Sequence, residues 1–179
     1  MRILLLLIVL LLPVGRCLEA AALLKPGDPF PAWTLRDQTG VKVSSSDFSG
    51  KTYLLWFYPK AMTSGCTAEG DGLRDQFAAF QARGVQILGV SFDTQSDNAT
   101  FVREQNFPFR LLSDRTRTLA VAVGAADNAD QPVARRISYV VGPDGKVLKV
   151  YAQVTPAQHA SQVLADLGAA RAGTPAPTP

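Results

Sequence analysis

Residues 53–84 read YLLWFYPKAMTSGCTAEGDGLRDQFAAFQARG. The first seven are apolar or aromatic and stop at Pro59, the pattern of a short strand buried on both faces. From Cys66 the pattern changes. Leu73, Phe77 and Phe80 recur at spacings of four and three, which is one apolar stripe of a helix over 66–84, and Gly84 caps its end. A buried strand feeding a helix calls for a second strand, and VQILGVSF over 85–92 supplies it.

The neighbouring segments extend the same alternation. SDNATFVREQN over 96–106 reads as a helix with Ser96 or Asp97 as N-cap. FRLLSD over 109–114 is a short extended piece, and RTRTLAVAVG over 115–124 is another helix. ARRISYVVGPDGKVLKVYAQV over 134–154 is a hairpin about a GPDG turn. TPAQHASQVLADLGAAR over 155–171 is a last helix, with Thr155 as N-cap and Pro156 at the first helical position. Ahead of all these, residues 30–50 form a small N-terminal hairpin. The expected fold is therefore α/β: a thioredoxin-like three-layer sandwich with a central mixed β-sheet and an N-terminal β-hairpin. Ligands in such sheets collect beyond the carboxyl ends of the parallel strands, where Cys66 falls.

The chain ends set the domain limits. Arg2 is followed by an apolar run from Ile3 to Leu12, then Pro13, Gly15 and Ala20-Ala21-Ala22. This is the layout of a secretory leader, residues 1–22, and the run is shorter than the roughly 20 apolar residues of a membrane span. The expectation is an exported, bacterial periplasmic protein; an uncleaved N-terminal membrane anchor is the alternative. Residues 23–170 make one domain, and 171–179, rich in Ala, Pro and Thr, a disordered tail. Without Arg2, Arg16 and Glu19 the chain keeps 16 basic and 14 acidic residues, with no basic run longer than two, so no nucleic-acid footprint exists.

The chain has two cysteines, and cleavage after Ala22 removes Cys17. Arg16, which is not small, argues against lipidation at Cys17. One unpaired cysteine, Cys66, is then left in an exported protein, which marks a free reactive thiol. A thiol reacts as its thiolate, and an α-helix N-terminus favours negative charge. Thr63 can place its hydroxyl against the sulfur, Pro59 can wall the pocket without adding an N–H, and Gly65 permits close backbone approach. The competing reading is a small buried hydrophobe, the common fate of a free cysteine. A cation beside the sulfur would come from Arg74, Arg135 or Arg136; the last two point to opposite faces of one strand. The absence of C-x-x-C excludes a thioredoxin-type dithiol, and one His with one remaining Cys cannot build a zinc site. His159 reads as a surface residue of the last helix.

The run Pro59-x-x-x-Thr63-x-x-Cys66, then Thr67-x-Glu69 and LRD, resembles the active-site motif of the peroxiredoxins, most nearly the Q-type or bacterioferritin-comigratory branch. GVSFDTQ, FPFRLLSD and RRISYVVGPDGKV resemble later segments of that family in the same order, so the likeness spans about residues 25–168. It implies a thiol-dependent peroxidase acting on hydrogen peroxide and organic hydroperoxides, with an external thiol such as thioredoxin as reductant and no cofactor or metal. A monomer or weak dimer is expected. Residue by residue, it implies that Cys66 is the peroxidatic cysteine, Thr63 bonds thiolate and peroxide, Arg136 stabilises the charge, Pro59 shields the pocket and Glu69 tethers Arg136. The sequence departs at two positions. Asp71 stands where the branch often has a resolving cysteine, and Ser64 where it usually has Pro. The alternative function, favoured by Asp71 alone, is a redox sensor or binding module on a thioredoxin fold.

Overall fold

The computed structural model describes residues 22–172, so the leader ahead of Ala22 and the tail beyond Ala172 lie outside the described residues. The strands are β1 (Thr34–Asp37), β2 (Lys42–Ser44), β3 (Thr52–Phe57), β4 (Val85–Ser91), β5 (Arg110–Ser113), β6 (Ile137–Val141) and β7 (Val147–Tyr151). The helices are α1 (Ser64–Asp75), α2 (Phe77–Ala82), α3 (Gln95–Gln105), α4 (Thr118–Ala122) and α5 (His159–Ala172). One seven-stranded sheet runs β2-β1-β5-β4-β3-β6-β7. The pairs β3–β4 and β4–β5 are parallel and the others antiparallel, which makes the expected mixed sheet.

Strand β3 shows why the sheet is buried on both faces. Its side chains alternate. Tyr53, Leu55 and Phe57 enter one core with Trp33, Leu88, Leu119 and Tyr139. Leu54, Trp56 and the following Tyr58 enter the other, with Cys66, Leu73, Phe80, Phe101 and Val163. Helices α1, α2, α3 and α5 cover the second face, and α4 the first. The N-terminal hairpin is not a separate flap, because β1 pairs with β5 and extends the sheet.

The helix expected over 66–84 is two helices. Gln76 leaves helical geometry (φ −104°, ψ 12°) and separates α1 from α2, while Leu73 and Phe80 still bury completely. Gly84, at φ 67°, takes the left-handed turn after α2. Helix α3 is capped by Thr94 rather than Ser96 or Asp97. The Thr94 hydroxyl accepts from the Asp97 amide at 3.1 Å and the Asp97 carboxylate accepts back from the Thr94 amide at 3.2 Å, a reciprocal box that only the earlier start allows. Helix α4 is only Thr118–Ala122, because Arg117 sits in the left-handed region. Thr155 and Pro156 do open the last helix, through a single 3-10 turn. That helix reaches Ala172, two residues into the segment expected as tail.

Candidate active site

Parallel strands β3 and β4 end side by side, Phe57 beside Val90, and the chain leaves β3 through Tyr58-Pro59-Lys60-Ala61-Met62 into α1. Two features pin this loop. The Ala61 amide donates to the Asp93 carboxylate at 2.8 Å, and Met62 takes a left-handed conformation (φ 63°) that turns the backbone into the helix. Thr63 is the N-cap, so Cys66 is the third residue of α1, in the turn whose N–H groups have no intrahelical acceptors. That turn carries the positive end of the helix dipole.

Strand β6 delivers the cation. Ile137 pairs with Phe57 in antiparallel register, so the residue ahead of β6 lies level with the loop behind β3. That residue is Arg136. Its Nη2 donates to Cys66 Sγ at 3.4 Å, and its Nη1 makes a charged hydrogen bond to Glu69 Oε2. Gly65 makes room for the guanidinium: a β-carbon there would lie 3.1 Å from Nη2. Arg135 and Arg136 precede the strand rather than sitting in it, yet they diverge as the strand period demands. Arg135 turns away to the Gly124 carbonyl at 3.0 Å and to Asp127.

Glu69 lies three residues after Cys66, on the same buried face of α1. Burial pushes its carboxyl up to about 7, against the opposing pull of Arg136. Its Oε1 has no hydrogen-bond partner. His159 Nε2 lies 3.9 Å from that oxygen and 2.9 Å from Ser138 Oγ. The expectation of a surface histidine is therefore wrong: His159 is completely buried, and burial followed by the nearby Arg136 charge lowers it to about 4, so it is neutral. The signal was available. His159, Ala160, Val163 and Leu164 share the core face of α5 at helical spacing, and the histidine belongs to that stripe. Ser138 carried no signal at all.

The other expected residues are placed as follows. Cys66 is completely buried and is the free cysteine among the described residues. Thr63 is adjacent, but its hydroxyl donates to the Lys60 carbonyl at 2.9 Å rather than to the sulfur, which leaves its oxygen lone pairs unused at the mouth of the turn. Pro59 is half-buried in the loop directly behind β3. Arg74 belongs to a different cluster. It pairs with Asp71 at 2.6 Å and with Asp75, and it donates to the Gln105 carbonyl at the end of α3 at 2.8 Å. The carboxylate at the resolving position is thus held on the outer side of α1. No group of three or more His, Cys, Asp or Glu side chains that could hold a metal occurs among the described residues.

Residues 26–150 match the AhpC/TSA family. The chain belongs to the peroxiredoxins. It is 35% identical over 146 residues to peroxiredoxin Bcp of Escherichia coli (strain K12), a match that covers 79% of this chain and 94% of that protein. Among solved structures, peroxidoxin BcpB from Mycobacterium tuberculosis superposes with a TM-score of 0.75 at 33% identity, covering 81% of this chain and 97% of that one. Peroxiredoxin Q of Xanthomonas campestris gives 0.73 at 31%, over 84% and 98%. The peroxiredoxin fold and the Q-type branch are as the sequence indicated. Asp71, in the position that the branch often gives to a second thiol, is a feature of this member.

Proposed function

We propose that the protein is a single-cysteine peroxidase for hydrogen peroxide and organic hydroperoxides, recycled by an external thiol of the thioredoxin type. The observation that carries the reading is the 3.4 Å contact of Arg136 with the Cys66 sulfur at the N-terminus of α1. Guanidinium and helix terminus set positive charge beside the sulfur that attacks. The thiolate attacks one peroxide oxygen. The S–O bond forms as the O–O bond breaks, the sulfur loses two electrons, and the departing alkoxide or hydroxide takes a proton from water. Arg136 and the free lone pairs of Thr63 stand where the two oxygens would be held, and Pro59 shields the entrance. An external thiol then attacks the sulfenic sulfur and expels water. A second thiol releases Cys66 from the resulting mixed disulfide.

Cys66→Ser is expected to abolish peroxide consumption with the fold intact by circular dichroism. One equivalent of peroxide is expected to add a single oxygen atom to the intact mass of the reduced protein, with no internal disulfide. Excess peroxide drives the sulfur to sulfinic acid. Residual turnover in the serine variant would overturn the reading. The Asp71 charge is paired with Arg74, so the alternative of a non-catalytic sensor rests on the missing second thiol alone, and a folded protein that consumes no peroxide would favour it.

We also propose export to the periplasm as a monomer or weak dimer. The support for export is the leader-like pattern of residues 1–22. A mature mass beginning near Leu23 is the expected result; a mass that retains the apolar run means an anchored protein.

A further inference from the structure

The peroxidase reading uses Cys66, Thr63, Arg136 and Glu69 and leaves a buried imidazole behind them unused. Glu69 Oε2 is committed to Arg136, while Oε1 is buried without a partner. A buried carboxylate normally has both oxygens engaged. The groups around it are few. Cys66 lies on its own helix, Arg136 comes from the approach to β6 and His159 from the start of α5. Behind the imidazole stand Ser138 of β6 and Tyr151 of β7, whose ring meets it edge-on at 5.1 Å. The Tyr151 phenol is itself bonded to Asp166, which also pairs with Lys149 at 3.3 Å. Lys149 and Asp166 are therefore paired on that far side, and the imidazole Nε2 lies 3.9 Å from Oε1.

The tautomer follows from the partners. His159 Nδ1 is buried without a partner, and a bare lone pair there is the lesser loss compared with a stranded N–H. The proton therefore sits on Nε2, between Ser138 Oγ at 2.9 Å and Glu69 Oε1 at 3.9 Å. Closing the second distance by roughly 1 Å makes a hydrogen bond to Glu69, and the one N–H then shares or gives up its bond to Ser138 Oγ.

We propose that neutral His159 is a positioning residue, whose Nε2–H serves Glu69 as a second donor whenever that carboxyl is charged and so keeps Arg136 seated on the Cys66 sulfur. The imidazole never meets substrate; it acts through Glu69. The burial that raises Glu69 puts its titration within the working pH range, so a donor to the charged form decides how much carboxylate exists near neutrality.

The proposal rests on the peroxidase reading for its meaning but not for its test. The chain has three glutamates, Glu19, Glu69 and Glu104, so the carboxyl carbon of Glu69 can be followed by NMR in carbon-13 glutamate-labelled protein. His159→Leu is expected to raise the Glu69 midpoint by about one pH unit, the usual worth of one donor to a charged group. His159→Gln, which keeps an N–H near the same place, restores most of it. In parallel, stopped-flow oxidation of Cys66 near pH 7 slows about fivefold in His159→Leu and recovers at higher pH, as a one-unit displacement requires. In a Glu69→Gln background His159→Leu changes neither rate nor profile. An unmoved Glu69 midpoint in a folded His159→Leu protein overturns the proposal and leaves the histidine as packing. A moved midpoint in a protein that consumes no peroxide sustains it and overturns the peroxidase reading instead. Should His159→Leu fail to fold, the Gln variant decides, since loss of its donor by a further change to Met must then move the midpoint.

Discussion

At the scale of single residues, the site separates two adjacent arginines by what they touch. Arg136 bonds the sulfur and Glu69, and Arg135 bonds a carbonyl and Asp127 on the far side. Arg136→Ala is expected to slow oxidation of Cys66 by about a hundredfold, the order set by one charged donor at a reacting centre. Arg135→Ala should stay within about twofold, since an exposed pair contributes little; stopped-flow fluorescence reads both. Glu69 and His159 also leave opposite marks on stability. The Glu69 carboxyl is raised to about 7, so its contribution is present below the ordinary glutamate range and is lost as pH rises toward 7. His159 is lowered to about 4, so its contribution is present above 6.5 and is lost as pH falls toward 4. Between about 4.5 and 6.5 the two slopes nearly cancel. Glu69→Gln removes one of them, and denaturant titrations should then show stability falling by about 3 kcal/mol from pH 6.5 to 4. A flat profile in that variant would show that His159 protonates at its ordinary pH.

At the scale of elements, the position of Cys66 depends on how α1 seats against α3 and the strand after it. Gly70, one turn beyond the thiol, lies against the Phe107 ring, and a β-carbon there would come within 2.3 Å of it. The ring cannot yield, because it stacks on Phe109 at 5.0 Å and meets Phe101 edge-on at 4.8 Å. Gly70→Ala is expected to cost about 1–3 kcal/mol and to lower the melting temperature, and adding Phe107→Leu should recover most of the loss. The elements themselves were largely legible. Strands β3, β4 and β6 are mostly apolar, and the Gly142–Gly145 turn closes with the Gly145 amide bonded to the Gly142 carbonyl, as its residues required. The break at Gln76 was not legible, because Leu73, Phe77 and Phe80 keep helical spacing across it. Thr94, Ser96 and Asp97 are all good cap residues close together in the sequence, and only the reciprocal bond of Thr94 with Asp97 decides between them. Within the site, Pro59, Thr63 and Cys66 stand at one local spacing, whereas Glu69 and Arg136 are picked out only by the likeness to the peroxiredoxins, because Arg136 reaches the sulfur from 70 residues away. Ser138 carries no signal, since it meets His159 only through the packing of α5 against β6, and His159 shows only the helical stripe that buries it, not its closeness to Glu69.

At the scale of the molecule, the site is assembled from chain segments far apart in sequence: the α1 turn, the approach to β6 and the start of α5. Sheet register, rather than any loop closure, brings the first two together. The Asp71–Arg74–Gln105 link ties the second turn of α1 to the end of α3, so a helix that carries one thiol also carries a clasp. Cys66 is completely buried. A thiol on another molecule is far larger than hydrogen peroxide and has to reach a sulfur that the fold covers. Recycling is therefore expected to wait for α1 to breathe, with a speed that follows the same open fraction that lets the amides of residues 64–70 exchange with deuterium. Urea well below the unfolding transition enlarges that fraction and is expected to quicken reduction of the oxidised protein while leaving peroxide uptake unchanged or slower. The protein's clock is then the looseness of one helix turn, and tightening the clasp would lengthen the interval between turnovers without touching the chemistry at the sulfur.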